Sequence, residues 1–246
     1  MARFFIPKER IQDQRGTVIG DELAHLRKVL RLAPGDRFIV FDDTGWEHEA
    51  VVRSFGAHQG DIDILRSYQA VRESALQVTL ALGLTKGEKV DLVVEKATEL
   101  GVLNLVPFTS AYTVPRLNDQ KVKARTERWK KLAVSAAKQS GRTRLPKVHT
   151  LCEFHEFVQQ PWEDALKLFF WEREGQQSLK QVHDSQPDTR AVLLAVGPEG
   201  GFSVEEADMA QRHGFTSVRL GPRILRAETA ALTALSLVQF LWGDLG

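Results

Sequence analysis

Cysteine is almost missing from this chain. Cys152 is the only one in 246 residues, which excludes an internal disulfide and removes the thiolate sets from which most structural zinc sites are built. The seven histidines, at 25, 48, 58, 149, 155, 183 and 213, are scattered without metal-ligand spacing, so no bound metal is expected. No apolar run approaches the roughly 18 residues needed to cross a bilayer. The stretch MARFFIPKERI has no apolar core followed by a small-residue cleavage site. The expectation is a cytoplasmic protein without a membrane partner. A dominant charge of one sign is also lacking, since the formal net charge is +1. What is present, 43% hydrophobic and 26% charged residues, is the composition of a globular protein and excludes a disordered tail. The length fits one sizeable core plus a smaller module.

The small net charge hides an uneven distribution. Residues 115–148 carry eleven Lys or Arg against only Asp119 and Glu127. Such a block is either a solvated helix face or a footprint for a phosphate backbone, whose affinity would fall steeply with salt. The first 70 residues are balanced, ten basic against eleven acidic.

Those first residues read as short strands and turns. Pro34-Gly35-Asp36 precedes the run Phe38 to Phe41, and Asp42-Asp43 with Gly45 ends it; EHEAVVRSF and DIDIL supply further strands. DELAHLRKVLRL is the exception, with Leu23, Leu26, Val29 and Leu30 on one helical face. A small β-barrel with one helix fits. From about residue 74 the pattern becomes strand, helix, strand, helix, which calls for a parallel sheet covered by helices. ALQVTLALGL and AVLLAV are buried-strand runs. Val90, Val93, Ala97 and Leu100 mark one inward helix face; Val122, Trp129, Leu132, Ala133 and Ala136 mark that of a long basic helix. The last helix is apolar on nearly every side, so it is either a central core helix or one shared with a second subunit.

Two loops near the C-terminus carry the chemistry. In AVGPEGGFSVEEA a strand ends at Gly197, and Ser203 with Glu206 forms a capping box that starts a helix. The order G-x-x-G-G matches neither the dinucleotide fingerprint nor the phosphate-binding loop, and Glu199 at its centre would repel a pyrophosphate. A ligand without phosphates fits better, such as S-adenosylmethionine, whose sulfonium a carboxylate tolerates. A tight turn without ligand is the plainer alternative. The second loop, LGPRILRAETAAL, again places glycine at a strand end, then two arginines, a glutamate and a threonine before the buried helix.

Together, VGPEGGFS and LGPRILRAETAAL resemble the C-terminal signature of SPOUT-class RNA methyltransferases, specifically the bacterial 16S rRNA (uracil-N3)-methyltransferase family. FFIPKERI, EKATELGV, the Arg128-Trp129 pair and KQSGRTRLP extend the resemblance over most of the chain. It implies a PUA-like β-barrel for RNA binding over residues 1–72 and, over 73–246, an α/β methyltransferase domain with a parallel sheet and a deep trefoil knot, an exception to unthreaded connections. It also implies S-adenosylmethionine held in the knot, a homodimer, and methylation at N3 of a decoding-region uridine of 16S rRNA, presented by an assembled small ribosomal subunit. One residue departs from the family pattern: Lys138 stands where an acidic residue is expected before Gln-Ser-Gly-Arg.

On this reading Gly197, Glu199, Gly200, Gly201, Leu220, Gly221, Ile224 and Leu225 form the cofactor pocket, with Thr229 beside it or capping the last helix. Glu199, Glu228 and Glu172 are candidates to take the uracil N3 proton, and Arg226 or Arg223 to steady charge on uracil O2 or O4. Arg226 and Glu228 are favoured near the chemistry; the alternative is an ion pair bracing the loop. Arg3, Lys8, Arg10, Arg15, Arg27 and Arg31 in the first module, and Arg116, Lys121, Lys123, Arg125, Arg142 and Arg144 beyond it, are the candidate RNA contacts. Two other functions compete: a SPOUT enzyme acting on another RNA or a ribose 2′-hydroxyl, and a non-catalytic RNA-binding protein.

Overall fold

The computed structural model describes residues 1–162, 164–171 and 177–246. It divides into two compact units: Met1–Glu73 with Ala137–Leu145, and Ser74–Ala136 with Pro146–Gly246.

The first unit contains β1 (Arg3–Phe5), β2 (Ile11–Gln12), β3 (Arg15–Ile19), α1 (Gly20–Ala24), β4 (Arg37–Phe41), β5 (Trp46–Phe55) and β6 (Gln59–Gln69). They form one six-stranded sheet in the order β1-β4-β5-β6-β3-β2, antiparallel except for β1 against β4. Alternate residues such as Phe38, Val40, Val52, Ile62 and Ile64 turn inward with Phe4, Ile6, Leu23 and Leu26. The helical face expected over residues 21–32 is only half realised. After α1 the chain widens into a π-helical turn, His25–Val29, where the Leu30 amide donates to the His25 carbonyl. The wider turn shifts the side-chain register, so Leu23 and Leu26 are buried while Val29 and Leu30 face out, 66% and 39% exposed.

Residues 137–145 are fastened to this unit by charge. Glu73 accepts from the Arg142 guanidinium at 2.8 and 3.0 Å with one oxygen, and from the backbone N–H groups of Thr143 and Arg144 with the other. Asp43 accepts from the Leu145 amide, and Arg3 donates to the carbonyls of Gly141 and Arg142. Lys138 donates to both oxygens of Glu22, 2.9 and 3.1 Å away, and lies over the Phe4 ring. The base at position 138 is thus matched by an acid on α1.

The second unit is a parallel sheet. Its elements in chain order are β7 (Gln77–Gly83), α2 (Lys89–Glu99), β8 (Asn104–Thr109), α3 (Asp119–Ser140, entering the first unit at Ala137), β9 (Lys147–Val148), β10 (Cys152–Glu153), α4 (Phe154–Gln159), β11 (Leu166–Phe170), β12 (Gln177–Ser178), α5 (Leu179–Ser185), β13 (Ala191–Val196), α6 (Val204–Arg212), β14 (Thr216–Arg219) and α7 (Ala227–Trp242). The strand order is β10-β8-β7-β13-β11-β14-β12, with β9 also on β8. The central strands β7 and β13 are apolar on both faces, as burial on both sides demands. Leu80, Leu82 and Leu194 pack toward Val93 and Ala97 of α2, Trp129 of α3, and Ala231 and Leu235 of α7. Ala81, Leu193 and Ala195 turn to the other face, where Phe108, Phe154, Phe157, Phe169, Phe202 and Phe215 cluster.

One face of α7 is buried and another is bare. Ala227, Ala231, Ala234, Leu235 and Val238 are covered, whereas Leu237 and Phe240 are 39% and 60% exposed. Gln239, one of the few polar residues of this apolar helix, is fully buried. Its amide donates to the Leu100 carbonyl at the end of α2, and its oxygen accepts from the Ser74 hydroxyl. Loss of such a satisfied buried group costs on the order of 1–3 kcal/mol.

Candidate cofactor cavity

In a parallel sheet the carboxyl ends of the strands are where connecting loops part and ligands enter. Here the ends of β11 and β13 and the loops after β13 and β14 enclose a cavity of about 310 Å³. Val196, Gly197, Pro198, Glu199, Gly201 and Phe202 supply one wall, and Ile224, Leu225, Arg226, Ala227 and Ala230 the opposite one. Phe170 and Lys89 complete it. The cavity is therefore apolar over much of its wall, with three charged side chains at its edge.

The first loop is shaped by its own contacts. Gly201 has φ +70°, which favours glycine, and a Cβ on Gly200 would come within 2.6 Å of the Tyr112 Cβ. Packing on Tyr112 is by itself enough to require glycine at position 200. The expected capping box is present: Ser203 accepts from the Glu206 amide, and Glu206 accepts from the Ser203 amide and from the Ala111 amide. Phe202 turns inward onto Phe169, ring centroids 4.2 Å apart, anchoring the loop to the sheet.

Electrostatics centre on Lys89, the first residue of α2. Its Nζ lies 2.8 Å from Glu199 Oε1 and 3.8 Å from Glu228 Oε2. Burial works against charge on Glu199, but the Lys89 hydrogen bond and backbone N–H groups, that of Lys86 among them, outweigh it and hold the carboxyl below its ordinary range. The same Glu199 hydrogen bond raises the Lys89 ammonium above its usual value. Glu228 sits in the first turn of α7, where a helix N-terminus favours an anion, and its Oε2 is buried without a hydrogen bond. Arg226, exposed at the N-cap of α7, has no ion pair or side-chain hydrogen bond among the described residues.

Of the residues expected in the pocket, Gly197, Glu199, Gly201, Ile224, Leu225 and Arg226 line the cavity. Glu228 reaches it through Lys89; Gly200, Leu220, Gly221 and Thr229 are not on its wall. Arg223 is exposed and off the wall, and Glu172 lies outside the described residues. Lys89, Phe170, Phe202 and Ala230 were not anticipated. Nothing in the sequence singled out Lys89, and the only cue to Phe202 was its place directly after the Gly-Gly pair.

The candidate RNA residues divide by exposure. Lys8, Arg10, Arg15, Arg27, Arg31, Arg116, Lys121, Lys123 and Arg144 face solvent, and Arg125 is half-buried. Arg10 and Arg15 border an open groove with Gln12, Thr17 and Ile19. Arg142 and Arg3 do not present themselves: their side chains are only 6% and 14% exposed, committed to Glu73 and Glu47. The basic block is also partly neutralised, since Arg128 pairs with Asp91 and Glu88. No described helix is long and apolar enough to cross a membrane.

An exposed carboxylate on the wall and a second beside it, at a largely apolar cavity at the mouth of a parallel sheet, in a chain that also carries an N-terminal β-sheet unit, define a class. The RNA methyltransferase domain model matches residues 72–239, and the RNA methyltransferase PUA domain model matches 18–65. The N-terminal unit is accordingly PUA-like, and the α/β unit is an RNA methyltransferase domain. The chain is 32% identical to the ribosomal RNA small subunit methyltransferase E of Bacillus subtilis over 98% of this chain and 96% of that protein. It is 33% identical to the Synechocystis protein of the same name, over 97% and 77% respectively. The Neisseria gonorrhoeae methyltransferase E, solved bound to S-adenosylmethionine, superposes with a TM-score of 0.90 at 31% identity over 100% of both chains. The chain belongs to the ribosomal RNA small subunit methyltransferase E family.

Proposed function

We propose that this protein transfers the methyl group of S-adenosylmethionine to N3 of a uridine in the decoding region of 16S rRNA, within an assembled small subunit. The observation that carries the reading is the cavity itself. Its residues suit the cofactor: Phe170, Leu225 and Ala230 offer apolar walls for adenine, and Glu199 and Glu228 offer anionic partners for its cationic part. The cofactor supplies an electrophilic methyl group on a sulfonium. Most of the protein's work is then alignment, holding donor and acceptor about 3–3.5 Å apart. Arg226, at the rim and unpaired among the described residues, steadies negative charge on a uracil carbonyl oxygen. Glu228 receives the N3 proton, a contribution of roughly 10²- to 10⁴-fold. Glu199, tied to Lys89 and the Lys86 amide, holds its loop and the cofactor.

The bare Leu237 and Phe240 on α7 support a homodimer in which a second copy covers that helix. The exposed arginines and lysines of both units support RNA contact, without Arg3 and Arg142. Passage of the cofactor loops through a trefoil knot and a cytoplasmic setting are part of the same proposal. Mass mapping of 16S rRNA from a strain lacking the gene tests the target. The expected result is loss of one methyl group at the decoding-region uridine; loss elsewhere, with that uridine still modified, would sink the assignment.

A further inference from the structure

Lys89 is an odd residue for its position. It begins α2, where the exposed N–H groups of a helix start disfavour a cation, so local helix physics would place an acid there. Its ammonium instead turns to two carboxylates from different parts of the chain, Glu199 in the loop after β13 and Glu228 in the first turn of α7. With Arg226 also close enough to disfavour its charge, two cations and two anions gather at the cavity edge and, for Glu228, just beside it. These four formal charges cancel, and Lys89 is the member that masks both carboxylates at once.

On methyl transfer the S–CH₃ bond breaks with its electron pair left on sulfur, an N–CH₃ bond forms at the acceptor, and the acceptor's proton leaves to a base. The donor enters with a sulfonium charge and departs as an uncharged thioether. We infer that Lys89 sets how strongly the cavity prefers the charged donor over the neutral product, by masking Glu199 and Glu228. This rests on the cofactor reading above. A cavity with both carboxylates bare would hold the sulfonium more tightly than the thioether. The Lys89 ammonium offsets that bias and keeps the affinities for donor and product closer together.

Calorimetric titration of S-adenosylmethionine and S-adenosylhomocysteine into the full chain tests this without any turnover. Lys89→Met should raise the ratio of product Kd to donor Kd about tenfold over wild type, and added salt should shrink the change. Lys89→Arg, which keeps the charge, should stay within about twofold of wild type, and Glu199→Gln should move the ratio the opposite way. An unchanged ratio in Lys89→Met, or an equal shift in Lys89→Arg, would overturn the inference. If wild type bound neither ligand, the cofactor reading would fail and take the inference with it, an outcome distinct from binding with an unchanged ratio.

Discussion

Two motif-bearing stretches of this chain look alike as sequence and differ as chemistry. KQSGRTRL and LGPRILRAE are both basic and glycine-containing, and both contribute to the family resemblance. In the first, Lys138 sits on Glu22 and Arg142 on Glu73, so two of its three cations are used to fold the N-terminal unit. In the second, Arg226 is unpaired among the described residues and Glu228 keeps a buried oxygen without a hydrogen bond. A motif whose cations are tied to internal carboxylates points to stability. One that leaves them open beside a cavity points to a ligand.

Paired substitutions should separate the two roles. Arg142→Met leaves Glu73 with backbone donors but without its cation and is expected to cost about 3 kcal/mol in urea unfolding, with the fall in methyl incorporation following only from lost folded protein. Arg226→Met is expected to leave stability within about 0.5 kcal/mol while methyl incorporation into small subunits falls about 10²-fold or more. If both variants lost stability equally and neither lost specific activity, the distinction between the stretches would collapse.

Much of this was legible in advance, for physical reasons that can be named. AVLLAV is buried on both faces, so its apolar run had one reading, and β13 coincides with it residue for residue. The capping box at Ser203 is a local hydrogen-bond pattern and needs no tertiary context. The π-turn after α1 was not legible, because apolar spacing at 23, 26, 29 and 30 fits an α-helix equally well. The use of Arg142 was hidden for another reason. Its partner Glu73 is 69 residues away, and sequence spacing carries no information about such a pair. Lys89 was missed likewise, its partners lying more than a hundred residues downstream.

A smaller effect sharpens the cavity side of the comparison. The folded-state carboxyl of Glu199 is lowered below its ordinary 4.5, so its pairing stabilises the fold above that value and is lost as pH falls through the lowered one. Lys89 is raised above its ordinary 10.5, so its share is present below that value and is lost as pH rises through the raised one. Melting curves of wild type and Glu199→Gln should therefore differ by a small, steady amount between these limits and converge at both ends. A gap that persisted under strongly acidic conditions would mean that Glu199 acts by shape and not by charge.

The central claim is that the cavity between the loops after β13 and β14 is where the cofactor binds. Ala230→Phe fills it from α7 and replaces no charged residue. Equilibrium binding of S-adenosylmethionine to wild type and to this variant, with circular dichroism to confirm that both are folded, tests the claim most directly. The prediction is one site per chain in wild type and at least about a hundredfold weaker binding in Ala230→Phe; undiminished binding by the folded variant would place the cofactor elsewhere and contradict the account.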